Sequence, residues 1–161
     1  MLTNEQFTLY AQRYIDTVYR VAYNYIKSGT DADDITQNVF LKLLKEEKRF
    51  DSEEHVRRWL IRVTINECRN LVQSRWWRSE SYEDHAAGLT FDTPGHSELF
   101  YAVMDLPKKY RLPIYLHYYE EYSTQDIAEI LKIPKGTVCS CLKRGRELLR
   151  KTLQEVDTQY V

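Results

Sequence analysis

Apolar residues recur at helical spacing along most of the chain, and no run alternates at period two long enough to make a sheet. Phe7, Ala11, Tyr14, Ile15, Val18, Ala22, Tyr25 and Ile26 form one stripe behind the capping box Thr3-x-x-Gln6, and Gly29 is expected to stop that helix. A second helix starts at Thr30 or Asp31. Its positive N-terminal end holds Asp31, Asp33 and Asp34, and its apolar face is Ile35, Val39, Phe40 and Leu43. A third begins at a Ser52 cap, carries Glu53 and Glu54 in its first turn and runs to about Trp77.

From Ser79 to Thr93 the period is lost, and the segment SESYEDHAAGLTFDT has linker chemistry. Thr93-Pro94 then reads as a cap followed by a first-turn proline. Helices are expected over about 95–104, 108–119 (with Pro113 near its start), 124–131 and 136–154. The pattern predicts an all-α chain with no internal repeat. It makes two small helical domains, 1–78 and 98–161, joined by an acidic flexible linker at 79–97. At roughly 100–200 residues per domain, 161 residues suit one ordinary domain or two small ones.

Charge changes the picture only when mapped along the chain. The total of 23 Lys+Arg against 24 Asp+Glu, net −1, argues against a strongly basic nucleic-acid binder. Residues 1–78, however, carry 13 bases and 11 acids, and residues 98–161 carry 10 bases and 9 acids. Between them stand Glu80, Glu83, Asp84 and Asp92 with no base. Near-neutrality therefore averages two weakly basic blocks and an acidic spacer, and weak binding to free DNA is expected. No stretch approaches 18 consecutive apolar residues, so no membrane insertion is expected. The start MLTNEQF lacks the regions of a signal peptide, and a cytoplasmic location is expected.

Cys68, Cys139 and Cys141 are an odd count and read as reduced thiols. Cys139 and Cys141 invite a metal reading. On a helix, neighbours two apart point about 200° away from each other and cannot share an ion, so no metal is expected. Nor is a catalytic group or a cofactor. There is no Gly-rich phosphate loop and no nucleophile–base spacing, and His55, His85, His96 and His117 are scattered.

The strongest local signal is STQDIAEILKIPKGTVCSCLKRGRELLRK, residues 123–151. Ser123 and Asp126 cap a short helix, and Ala128 is small where a second helix must come close. Ile133 can plug the angle between the helices, and Pro134 prevents the first from continuing. Thr137 opens a longer helix, as in a helix-turn-helix. Val138, Leu142, Gly145 and Leu149 fall on its inward side. Ser140, Lys143, Arg144, Glu147 and Lys151 lie opposite, with Thr137 on the flank and Cys139 and Cys141 off the outward face. From Lys143 to Lys151 there are five bases against one acid. A solvated basic helix face has the same composition, but the capped helix and Pro-Gly turn ahead of it favour DNA reading.

On the third helix, Val56, Trp59, Leu60 and Val63 form one apolar face, and Ile61, Ile65, Cys68 and Val72 form another roughly opposite. Between them runs a polar stripe of Arg58, Arg62, Asn66, Arg69 and Gln73, residue types that pair with phosphate, guanine and adenine. Trp59 reads as core. Trp76 and Trp77, between Arg75 and Arg78, suit either core or stacking on unpaired bases. The second helix keeps Asp34, Gln37, Asn38, Leu41 and Lys45 outward, and an apolar Leu41 within a polar rim suits a protein-binding face.

Four segments, DADDITQNVFLKLLKEEKRFD, WLIRVTINECRN, LPKKYRLPIYLHYYEEYS and DIAEILKIPKGTVCSCLKRGR, together resemble the extracytoplasmic-function (group IV) sigma factors of bacterial RNA polymerase. The likeness covers nearly the whole chain outside the spacer. It implies an alternative sigma factor, without catalytic activity of its own, that docks on polymerase core and directs promoter-specific transcription. The implied partners are the clamp of the largest core subunit, the flap of the second, promoter DNA and an anti-sigma factor. Asp34, Gln37, Asn38 and Leu41 look like the clamp-binding face. The loop Lys48–Ser52, with Phe50 and Asp51, matches the segment that captures a flipped base of the −10 element. Arg58, Arg62, Asn66, Arg69 and Gln73 fall on the −10 recognition helix. Lys135, Thr137, Ser140, Lys143 and Arg144 fall on the −35 reader. The spacer matches the linker along the polymerase's RNA path. The chain departs from the family at Cys139 and Cys141, where bases are frequent, and at Asn70 and Gln73, where an acid and an arginine are common. The acidic N-terminal region and middle domain of primary sigma factors are expected to be absent. The rival reading is a stand-alone helix-turn-helix regulator with 1–78 as a sensing or dimerisation domain.

Overall fold

The computed structural model describes residues 1–77 and 98–159, with side chains to Trp76 and to Glu155. The predicted acidic linker at 79–97, the Thr93-Pro94 cap, Arg78 and the Trp77 side chain lie outside the described residues. All regular structure among the described residues is helical, and no helix is long and apolar enough to cross a membrane. The chain divides into two compact units, Met1–Leu89 and Thr90–Val161.

The first unit is a three-helix packing of α1 (Asn4–Ile26), α2 (Gly29–Lys45) and α3 (Glu53–Trp77), each touching the other two. Thr3 and Gln6 form the capping box of α1, as their spacing predicts. Gly29 does not stop α1. Lys27 does, with φ 57° in the left-handed region, donating its N–H to the Tyr23 carbonyl. Ser28 then accepts from the Asp31 N–H, so Gly29 is free to open α2. Ile15, expected inward, is 47% exposed. Early α1 is half-buried or exposed, while Val18, Val21, Ala22, Tyr23 and Ile26 sink into the core.

The third helix differs from the expectation of two opposed apolar faces. Burial runs unbroken through Val56, Leu60, Ile61, Thr64, Ile65 and Cys68, a single broad arc. Thr64 joins its halves because its hydroxyl donates to the Leu60 carbonyl at 2.6 Å and needs no water. Trp59, Val63 and Val72 are half-buried flanks. A bidentate pair of Arg75 with Asp31, at 2.5 and 2.6 Å, ties the end of α3 to the start of α2.

The second unit holds α4 (Glu98–Met104), α5 (Lys108–Tyr118), α6 (Thr124–Leu131) and α7 (Lys135–Gln159). Ser123 and Asp126 cap α6 reciprocally, and Lys132 (φ 56°) ends it. The Pro134 carbonyl accepts from Thr137 and Val138, starting α7 one residue earlier than expected. Buried Arg111 donates to the Met104 and Leu106 carbonyls at 3.3 and 3.0 Å, stitching the α4–α5 turn to α5. Gly145 lies where α7 meets α5: a Cβ there would stand 2.8 Å from Ile114 Cγ1. The inward assignment of Val138, Leu142 and Gly145 agrees with their burial, while Leu149 is half-buried. Cys139, expected off the outward face, is exposed, and only Val138 among 135–140 is covered.

Candidate nucleic-acid and protein interfaces

Three helix faces carry the predicted residues. On α2, the side that packs inward uses Ala32, Ile35, Thr36, Val39, Phe40 and Leu43. The opposite side leaves Asp34, Gln37, Asn38 and Leu41 exposed, Leu41 by 52%. Leu44, one turn on from Leu41, is also exposed. The apolar centre of this face is therefore wider than one leucine, and the i, i+3 spacing of the two carried the signal.

The −10 set gathers along α3 and the loop before it. Arg62, Asn66 and Gln73 are exposed, whereas Arg58 and Arg69 are half-buried. Arg58 Nε lies 3.3 Å from Glu54 Oε1, one turn earlier. Burial pushes the Tyr25 phenol up in pKa, and the Arg69 guanidinium that hydrogen-bonds it pulls the other way. Two of the three arginines in the stripe thus have intramolecular partners. The amides Asn66 and Gln73 stand in the open beside Arg62.

At the N-terminal end of the stripe, the Phe50 ring meets the rings of His55 and Trp59 edge-on, at centroid distances of 5.2 and 5.7 Å. Asp51 keeps its carboxylate in solvent while its N–H donates to His55 Nδ1 at 3.1 Å. Trp59 is half-buried rather than full core. Trp76 is 74% exposed, which removes the core reading for that ring. A second cluster lies where α1 meets the start of α3: Arg13 and Tyr14 both donate to Glu53 Oε1. Hydrogen bonding from Arg13, then from Tyr14, holds the Glu53 carboxyl below its usual range. Burial, then the Glu53 bond, pushes Tyr14 up to about 12.

The −35 set lies on the first three turns of α7, and Lys135, Thr137, Ser140, Lys143 and Arg144 are all exposed. Arg144 Nη1 reaches Glu147 Oε2 at 3.4 Å. An open groove runs beside them, bounded on the α5 side by Lys109 and Tyr110 and on the α7 side by Thr137, Ser140 and Arg144. Lys109 Nζ sits 4.9 Å over the Tyr110 ring. Lys109 was not singled out in the sequence, since its proximity to α7 depends on the Gly145 contact. Among the described residues, no three His, Cys, Asp or Glu side chains gather as a metal site.

Comparison with known proteins gives these faces a family context. Residues 10–78 match sigma-70 region 2, and residues 97–149 match sigma-70 region 4. The chain is 30% identical over 166 residues to the ECF RNA polymerase sigma-E factor of Haemophilus influenzae, spanning 92% of this chain and 87% of the relative. It is 28% identical over 163 residues to the ECF RNA polymerase sigma factor SigW of Bacillus subtilis, spanning 89% and 86%. In fold it is similar to the sigma factor RpoE of Bartonella quintana, solved in complex with the anti-sigma factor NepR. The TM-score is 0.78 at 19% identity, over 92% of this chain and 96% of that one. Two region matches in that order, with relatives alike along most of their length, place this chain in the sigma-70 family, among the extracytoplasmic-function sigma factors that direct RNA polymerase to promoters.

Proposed function

We propose that this alternative sigma factor docks on polymerase core through α2 and reads its promoter at two places. Phe50, Asp51 and the α3 stripe serve the −10 element, and α7 serves the −35 element. The working domains are then 1–78 and 98–161, with 79–97 passing along the polymerase's RNA path. The observation that carries the reading is the pairing of two helical units, each of which turns a cationic, hydrogen-bonding helix face to solvent.

The division of labour follows from side-chain chemistry. Asp34, Gln37, Asn38 and Leu41 meet the clamp of the largest subunit, with Leu41 as the apolar anchor and the others as its rim. The second unit meets the flap of the second-largest subunit. Arg58, Arg62 and Arg69 neutralise strand phosphates, while Asn66 and Gln73 offer paired donor and acceptor groups to base edges. Phe50 and Asp51 receive a base taken out of the stack, and its capture offsets part of the unstacking cost. On α7, Thr137 and Ser140 are short enough to reach base edges in the major groove, and Lys135, Lys143 and Arg144 hold the flanking phosphates. The protein supplies positioning rather than chemistry, works in the cytoplasm, and is held in check by an anti-sigma factor covering the α2 and DNA faces.

Separating the faces tests the assignment. Leu41→Glu should abolish co-elution with core polymerase and leave binding to a −35 duplex unchanged. Lys143→Ala should weaken binding to the −35 duplex, reduce the slope of log affinity against log salt by about one, and leave co-elution with core unchanged. Loss of both properties by either variant would contradict the assignment.

A further inference from the structure

His55 makes three contacts with the loop that precedes α3, one to each of three successive residues. Its backbone N–H donates to Ser52 Oγ at 3.1 Å. Its Nδ1 accepts the Asp51 N–H at 3.1 Å. Its ring meets the Phe50 ring edge-on at 5.2 Å. Only the first of these belongs to capping the helix, and any residue but proline at position 55 supplies that N–H. The side chain is therefore spent on the loop. The Asp51 carboxylate stands 3.9 Å from the same ring nitrogen, beyond hydrogen-bonding range, so the backbone N–H is the partner of Nδ1. Farther back in the loop, the Lys48 N–H is held locally by Glu46 Oε1 at 2.9 Å.

We propose that His55 is a positioning residue for −10 recognition: by accepting the Asp51 N–H and backing the Phe50 ring, it holds the loop in the conformation that receives an unstacked base. This rests on the reading of Phe50 and Asp51 as the base-capturing pair. A loop ordered before the strand arrives loses less conformational freedom on binding, so the gain appears as affinity for the captured base. The Nδ1 lone pair is the critical feature, because it holds the Asp51 N–H between Phe50 and the Ser52 cap.

The test uses holoenzyme assembled from core and the full chain. Its probes are single-stranded −10 oligonucleotides substituted one base at a time. His55→Asn keeps an acceptor at the δ position and loses the ring. His55→Phe keeps a ring against Phe50 and loses the acceptor. His55→Asn should stay within about two-fold of wild type at the most discriminated base, while His55→Phe weakens that binding roughly five-fold, one neutral hydrogen bond's worth. Binding to a −35 duplex and to core should not move. His55→Ala should fall at least as far as His55→Phe, which keeps the test open if the larger ring disturbs folding. The positioning role is overturned if His55→Phe and His55→Ala bind like wild type. It is equally overturned if they lose only thermal stability with base discrimination intact, or if His55→Asn falls as far as they do. If Phe50→Ala and Asp51→Ala leave discrimination at every −10 base unchanged, the base-capture reading itself fails, and the His55 proposal with it.

Discussion

Replacing Gly145 by alanine adds one methyl group at the closest approach of α5 and α7. Its Cβ would stand 2.8 Å from Ile114 Cγ1, 3.1 Å from Ile114 Cδ1 and 3.5 Å from Tyr110 Cβ. Ile114 is 1% exposed and cannot swing into solvent. Overpacking of this kind costs about 1–3 kcal/mol, and the better helix propensity of alanine returns up to about 1. With Ile114 held in place the upper end of that cost applies, so a net loss of about 2 kcal/mol is expected, which for a unit of this size lowers the melting temperature by roughly 8–16 °C. The tryptophans stand at 59, 76 and 77, all in the first unit, so their fluorescence reports that unit alone. Gly145→Ala should therefore shift the far-UV circular dichroism transition downward and leave the tryptophan transition in place. In an Ile114→Ala background, which removes both clashing atoms, Gly145→Ala should cost about 0.5 kcal/mol or more less than in wild type. An unshifted dichroism transition, or equal costs in the two backgrounds, refutes the close-contact argument.

The other expectations concern the first unit. Arg75→Ala leaves Asp31, whose side chain is 13% exposed, without its bidentate partner. It should lower the urea stability read by tryptophan fluorescence by about 2 kcal/mol, a charge-assisted pair's contribution. The Tyr14 phenol, raised to about 12, ionises later in the folded than in the unfolded chain, so the folded state binds the extra proton between pH 10 and 12. Its contribution is intact below pH 10 and fades as pH climbs toward 12. Tyr14→Phe should remove that part of the alkaline slope in denaturation midpoints. An unchanged slope contradicts the assignment.

Local chemistry was legible wherever a few neighbouring residues decide the outcome. Thr3 with Gln6 and Ser123 with Asp126 sit within one turn of each other, and both capping boxes form as their spacing predicts. The helix-turn-helix break at Pro134 is of the same kind, and so are the exposed faces of α2 and α7. What stayed hidden depends on burial and on which pairs form, and period alone decides neither. The left-handed turn at Lys27 falls on a residue type that does not announce it. Thr64 counts as polar in a periodicity, yet it is buried because its own helix satisfies its hydroxyl. Asp31 reads as a helix-dipole residue until Arg75, 44 positions away, comes to meet it. Arg58 and Arg69 read as free cations, and folding supplies Glu54 and Tyr25 as their resting partners. The faces were therefore visible in the chain, while the electrostatic state of each face was not.

A sigma factor confers promoter recognition on core polymerase, whereas a free DNA-binding regulator acts without it. The direct measurement is multi-round transcription by core enzyme on genomic fragments that include the region upstream of the chain's own gene, with and without the chain, and with transcript 5′ ends mapped. Transcripts should appear only when the chain is present, with starts that share one −35 and −10 pair at fixed spacing. A stoichiometric mixture that yields no chain-dependent transcripts, while the chain alone footprints duplex DNA at specific sites, would instead make the chain a free DNA-binding regulator.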